Sequence, residues 1–257
     1  MSSRPYEDSP SFFALIIGTE ILERRRTDSH FDFLSSELLD RGWRLSGSFV
    51  VEDDPALIVQ SIKFLASQPG SVIFSYGGIG STPDDHTRKC ASIALRDGRL
   101  HRHPEAEKII TGRLGERAYP HPINMADLPS GAKLLENPVN GMPAFYLDDR
   151  YFFMPGFPSM SHPMTIWALD NIFGRSTKSI HRKSLMALCR ESELIDVMRT
   201  LPDDVELSSL PRMYDDGPRV EITLSSTDPD ILEEAYRKFE KVLEEKSIHY
   251  GEVEKRP

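Results

Sequence analysis

The chain has 257 residues, 39% of them hydrophobic, enough to bury one large core or two modest ones. Its formal net charge of −9 argues against a nucleic-acid partner, and no apolar run approaches the roughly 20 residues that a membrane-spanning helix needs. Cys90 and Cys189 stand alone, without the spacing of a disulfide framework or a structural zinc site, and the polar stretch 1–11 lacks the apolar core of a signal peptide, so a cytoplasmic protein is expected.

Residues 12–17 form a continuous apolar run, which predicts a strand buried on both faces. Gly18-Thr19-Glu20 breaks it. A helix is predicted from about Asp28 to Gly42, with Phe31, Leu34, Leu38 and Leu39 as its apolar stripe. Residues 44–51 read as a second strand. Asp54-Pro55 then opens a helix, with Asp54 as cap, Pro55 in first position and Leu57, Ile58, Ile62 and Leu65 as the buried face. Residues 72–75 make a third strand, followed by a glycine-rich loop through Thr87 and a helix over 88–95. Strands alternating with helices predict an α/β fold with right-handed crossovers and a parallel sheet covered on both faces.

A helix is expected from Pro104 through Leu114. Short strands follow at 132–135, 144–147 and 151–154, the last two forming a hairpin that turns at Asp148-Asp149. Pro155-Gly156-Phe157-Pro158 is another strand-to-helix turn, and a helix is expected over 163–173. A polar linker at 174–179 leads to a small α+β appendage: a strand at 184–189, a helix at 191–201, strands at 205–210 and 220–224, and an amphipathic helix at 228–246. Two domains are therefore expected, 12–175 and 180–250.

Ligands in such sheets bind beyond the carboxyl ends of the strands. Three candidate segments fall there: Gly18-Thr19-Glu20, Glu52-Asp53-Asp54, and the loop from Tyr76 to Asp85. In the loop, Gly77, Gly78 and Gly80 let backbone N–H groups approach an anion, and the helix start adds partial positive charge. Capping by Asp84 alone would explain one aspartate and Gly80, but neither the glycine pair nor the second carboxylate. Capping by Asp54 leaves Asp53 as the better site candidate. Thr19 and Glu20 read equally as a cap with a helix-start acid or as pocket lining. Arg24-Arg25-Arg26 reads as a solvated loop rather than a phosphate clamp. The spacing of His101 and His103 would put both rings on one face of a strand, but no third ligand lies nearby in sequence.

The motif Gly77-Gly78-x-Gly80-x-Thr82-x-Asp84-Asp85-x-Thr87 resembles the loop of the CinA (competence/damage-inducible) branch of a molybdopterin-binding-like domain, shared with the MogA/MoaB molybdopterin adenylyltransferases. The opening turn Gly18-Thr19-Glu20-Ile21-Leu22, the pair Asp53-Asp54, Asn124-Met125-Ala126-Asp127-Leu128-Pro129, Asn137-Pro138 and Pro155-Gly156-Phe157-Pro158 look like further motifs of that branch. The resemblance runs from about Phe12 to Phe173 and, more weakly, into the appendage. It implies a three-layer α/β sandwich with a mostly parallel sheet and the ligand at its carboxyl edge. For MogA relatives it implies ATP-dependent activation of a phosphorylated pterin. For CinA relatives and the similar domain of FAD synthases it implies hydrolysis of a nucleotide pyrophosphate, ADP-ribose or FAD, with a divalent metal (Mg, Mn or Co).

The site residues it implies are Asp53 and Asp85 as catalytic and metal-binding carboxylates. Gly18, Thr19, Glu20, Gly77, Gly78, Gly80, Ser81, Thr82, Asp84, Pro155 and Gly156 would line the ligand, a phosphorylated nucleotide or pterin. A homo-oligomer is also implied. The chain departs from the pattern in three places. His30 replaces an asparagine, Ser81 replaces a proline, and Asp84-Asp85 stands where MogA proteins have Arg-Asp. Replacing that arginine with an acid removes a phosphate-binding cation and favours a metal-dependent hydrolase over adenylyl transfer. The alternative readings are a pterin- or nucleotide-binding module without chemistry and a molybdopterin adenylyltransferase-like enzyme of molybdenum cofactor biosynthesis. Over these 257 residues the amidohydrolase domain of full-length CinA proteins is not expected, and that activity is not implied.

Overall fold

Two apolar strands lie at the centre of the larger unit, and the elements around them can be placed from the chain in order. The computed structural model describes residues 10–177 and 180–253; most of the polar N-terminal stretch, and Lys178 and Ser179 of the expected linker, lie outside the described residues. The described residues fall into two compact units that divide between Ser176 and Thr177.

The first unit runs β1 (Ser11–Ile17), α1 (Thr19–Leu22), α2 (His30–Asp40), β2 (Leu45–Val51), α3 (Pro55–Ala66), β3 (Ser71–Tyr76), α4 (Thr87–Leu95), β4 (Leu100–Arg102), α5 (Pro104–Leu114), β5 (Asp127–Pro129), β6 (Lys133–Leu135), β7 (Ala144–Leu147), β8 (Tyr151–Met154) and α6 (Pro158–Ala168). Its main sheet has six strands in the order β2-β1-β3-β8-β7-β6. The first four are parallel, and β7 pairs antiparallel with both β8 and β6, so β7 alone runs against the other five. All of β3 is buried, and only the first residue of β1 is not, as expected for central strands covered on both faces. Edge strand β2 alternates between half-buried and exposed positions.

From β1 the chain steps one way to β2 and then back past β1 to β3. Right-handed crossovers therefore put α2 and α3 on opposite faces. Helix α2 packs with α6, and α3 packs with α4. The result is the expected three-layer α/β sandwich. Its core is aromatic: Phe74 stacks on Phe152 with ring centroids 4.9 Å apart, and Phe12 meets Phe173 edge-on at 5.1 Å. Such pairs contribute about 1 kcal/mol each beyond the area they bury.

Some local expectations change. The buried stripe of α2 is His30, Leu34 and Leu38, while Phe31 and Leu39 are exposed. The cause is His30, whose ring stacks on Tyr76 at 4.2 Å and turns Phe31 outward. In α3, Leu57 is exposed. Helix α6 begins at Pro158, five residues before the expected start. Pro158 takes the first helical position, and Pro163 is tolerated inside the helix on its exposed side. The helix ends in a π turn, with the Gly174 N–H donating to Leu169 O at 2.7 Å. The hairpin at Asp148-Asp149 is as expected, with both residues at positive φ (55° and 54°).

The second unit contains β9 (His181–Ala187), α7 (Ile195–Met198), β10 (Glu206–Tyr214), β11 (Gly217–Ser226), α8 (Pro229–Glu245) and β12 (Tyr250–Glu252). These strands form a four-stranded antiparallel sheet, β10-β11-β9-β12. Leu232, Ala235, Phe239 and Leu243 of α8 are buried in its core. The helix expected over 191–201 is instead a short 3-10 turn followed by α7.

Candidate functional site at the carboxyl edge of the sheet

The carboxyl ends of four parallel strands are stitched together by main-chain and threonine contacts. After β1, the Gly18 N–H donates to Val51 O at the end of β2 (3.0 Å). Thr19 then donates twice to one oxygen of Asp53, from its N–H and its hydroxyl, both at 2.8 Å. The Asp53 N–H donates back to the Thr19 hydroxyl at 3.1 Å. After β3, the Gly77 N–H donates to Met154 O at the end of β8 (2.9 Å), and a side chain at Gly77 would overlap Ile17 O. Gly156 closes the row, lying so near that an added Cβ would sit 3.4 Å from the Gly77 Cα.

Thr87 pins the glycine loop. Its hydroxyl donates to Gly77 O and its N–H to Gly78 O, both at 2.9 Å. Gly77 and Gly78 adopt φ of +111° and +66°, conformations that L side chains rarely adopt. Further along, Asp85 Oδ2 accepts from the Thr82 N–H (2.8 Å) and hydroxyl (2.5 Å). Gly80 is needed here because a Cβ would come within 2.6 Å of that carboxylate. Helix α4 starts after His86 with no side-chain cap, so neither aspartate caps it. Asp84 is exposed, and the neighbouring Thr82 hydroxyl holds its carboxyl below the usual range. Ser81 is half-buried in the same turn.

Asp53 and Asp85 thus share a design. Each binds a threonine through Oδ2, and among the described residues neither Oδ1 accepts a hydrogen bond. They precede the N-termini of α3 and α4, which pack together, the Cys90 thiol of α4 reaching Pro55 O at 3.5 Å. Two helix N-termini therefore open beside the glycine loop. Asp54, by contrast, caps α3 by accepting from the Leu57 N–H at 2.7 Å. Asp54→Ala is expected to cost about 1 kcal/mol, a fall in Tm of about 2–4 °C, with ligand binding unchanged; thermal unfolding with and without ligand checks this.

Arg88, on the second residue of α4, is buried beneath this loop. It donates to Gly80 O (2.8 Å), to Asp127 O (3.1 Å) and to Asn124 O. It thereby clamps the loop to a segment 36 to 39 residues away. Sequence reasoning missed it. The signal available was a cation at the positive end of a helix, where the dipole disfavours it.

A small cleft opens at the ends of β1 and β3, lined by Glu20, Arg26, Asp28, His30, Tyr76 and Gly156 among others. His30 accepts from, or donates to, His162 across 3.3 Å, and its other ring nitrogen lies 3.4 Å from Gly156 O. Donation to that carbonyl leaves Nδ1 as the acceptor from His162. Burial lowers the His30 pKa to about 4, so the pair is neutral at pH 7. Glu20 and Gly156 belong to this cleft, while Asp53 and Asp85 do not line it. His101 and His103 are not brought together: His101 meets Asp97 at 3.4 Å, and His103 caps α5. Among the described residues no group of three or more His, Cys, Asp or Glu converges as a metal cage. No helix among them is long and apolar enough to cross a membrane.

Residues 13–172 match the family described as probable molybdopterin binding domain. The chain belongs to that family. The molybdopterin-binding domain thus coincides with the sheet, the glycine loop and the stitched strand ends. A CinA-like protein of Desulforapulum autotrophicum is 31% identical over 175 residues, covering 65% of this chain and 41% of that protein. A CinA-like protein of Pseudothermotoga lettingae is 24% identical over 246 residues, covering 93% of this chain and 60% of that protein. The chain therefore spans about two fifths to three fifths of the length of these curated relatives. The crystal structure of CinA from Thermoplasma acidophilum, a protein of unknown function, matches 63% of this chain and 96% of its own, with a TM-score of 0.56 at 24% identity. The resemblance read from the glycine loop is borne out, and the family points to a small-molecule ligand of the pterin or nucleotide kind.

Proposed function

We propose that the protein is a metal-dependent nucleotide pyrophosphatase acting on a diphosphate of the ADP-ribose or FAD kind. The observation that carries this is the pair Asp53 and Asp85, each oriented by a threonine and each retaining one oxygen, beside the glycine loop. Carboxylates next to a phosphate repel it unless a cation stands between them. Two acids suit Mg²⁺, which keeps several waters and takes one or two carboxylates plus substrate phosphates. Asp53 and Asp85 would hold it; when bound, it would neutralise charge on the pyrophosphate and polarise the scissile phosphoryl group.

The protein's own groups do the rest. Main-chain N–H groups from Gly78 to Ser81, which have no acceptor among the described residues, and the start of α4 bind phosphate oxygens. Thr19 and Thr82 fix the two carboxylates. Asp84, exposed and ionised in the same turn, accepts a hydrogen bond from the attacking water and orients it. A pterin- or nucleotide-binding protein without chemistry is the second reading, favoured by the family match.

The two part in one experiment. The purified protein is incubated with ADP-ribose, FAD, NAD or dinucleoside polyphosphates and Mg²⁺, Mn²⁺ or Co²⁺. A pyrophosphatase releases a mononucleotide from at least one of them. Ligand-induced thermal stabilisation with no product from any of them leaves the binding module.

A further inference from the structure

Arg88 is a cation held where the surroundings oppose positive charge. Only 8% of the residue is exposed. It lies in the first turn of α4, at the positive end of the helix dipole. Among the described residues no carboxylate hydrogen-bonds it. Its partners are the carbonyl oxygens of Gly80, Asn124 and Asp127, and its Nε, fully buried, has none. Asp85 and Asp127 act on it only through longer-range attraction, and burial holds its pKa below the usual arginine range. A buried charge without a hydrogen-bonded counter-ion is destabilising, and an anion brought close to it would relieve that cost.

The hydrogen bond to Gly80 O shows where that charge would act. In a trans peptide the carbonyl and the N–H point in opposite directions. The guanidinium therefore lies behind the Gly80–Ser81 peptide and polarises it, while the Ser81 N–H faces the opposite way and has no acceptor among the described residues. We propose that Arg88 is a positioning residue whose buried charge is completed by a phosphate group bound across the glycine loop. It supplies, from beneath, the cation that the Asp84-Asp85 pair does not. The proposal rests on reading the loop as a phosphate site and adds the residue that sets its affinity.

The test uses inorganic pyrophosphate with Mg²⁺ as the probe and needs no turnover. Arg88→Gln keeps donors for the carbonyls but loses the charge; Arg88→Lys keeps the charge and loses the fork. Affinity is measured by calorimetry and by the ligand-dependent rise in Tm. Arg88→Gln is expected to bind at least about tenfold more weakly than the parent, with Arg88→Lys nearer the parent. Arg88→Gln binding within about twofold of the parent, or both variants weakened equally, overturns the charge role and leaves a structural clamp. A parent protein that binds no pyrophosphate overturns the phosphate reading itself.

Discussion

If the proposed pyrophosphatase activity holds, Asp85→Asn is expected to lower it by about three orders of magnitude while the protein stays folded. The two halves of that result have separate causes. Folding survives because the amide oxygen of asparagine can still accept from the Thr82 N–H and hydroxyl, the bonds that shape the turn (2.8 and 2.5 Å). Activity fails because the atom replacing the other carboxylate oxygen is an NH₂ donor. It carries no negative charge and cannot hold a cation. Initial rates set beside circular dichroism and Tm separate these effects. Normal turnover in the folded variant removes Asp85 from the chemistry.

Gly77→Ala is expected to destabilise the first unit by about 3 kcal/mol or more, read as a fall in Tm of about 6–12 °C. Gly77 has φ +111°, and an added Cβ would overlap the carbonyl oxygen of Ile17. That oxygen is main chain of the neighbouring strand β1, so no side-chain rotation relieves the overlap. The same residue donates to Met154 O and accepts from the Thr87 hydroxyl. Strain there spreads to the β8 end and the α4 start together. Gly112 is the control: it lies within α5, with nothing within 4 Å of an added Cβ. Gly112→Ala is expected to raise stability by about 1 kcal/mol. Equal, small effects at both positions in thermal unfolding would contradict the packing described for the strand ends.

Much of the larger unit was legible because its signals are local. The apolar run at β1 and the Asp54-Pro55 start of α3 each depend on residues adjacent in sequence. The glycine motif worked the same way, since its turns are fixed by its own Thr82, Asp85 and Thr87. What failed depends on tertiary contacts. The seam of α2 follows His30 because Tyr76, far along the chain, offers a ring to stack on. Helix α6 was placed too late because Pro163 reads as a start signal, whereas Pro158 already fills that role. Arg88 was invisible because its burial comes from the carbonyls of Asn124 and Asp127. The Asp84-Asp85 pair implies a loop without a cation, yet the Arg88 guanidinium lies beneath that loop, bonded to Gly80 O.

The most direct measurement of the central claim is AMP release from ADP-ribose by the purified protein, followed first with Mg²⁺ and then after addition of EDTA. A pyrophosphatase site at Asp53 and Asp85 predicts AMP accumulating with Mg²⁺ and stopping when the metal is chelated. AMP release that continues unchanged in EDTA, or none at all with Mg²⁺, Mn²⁺ or Co²⁺, contradicts it.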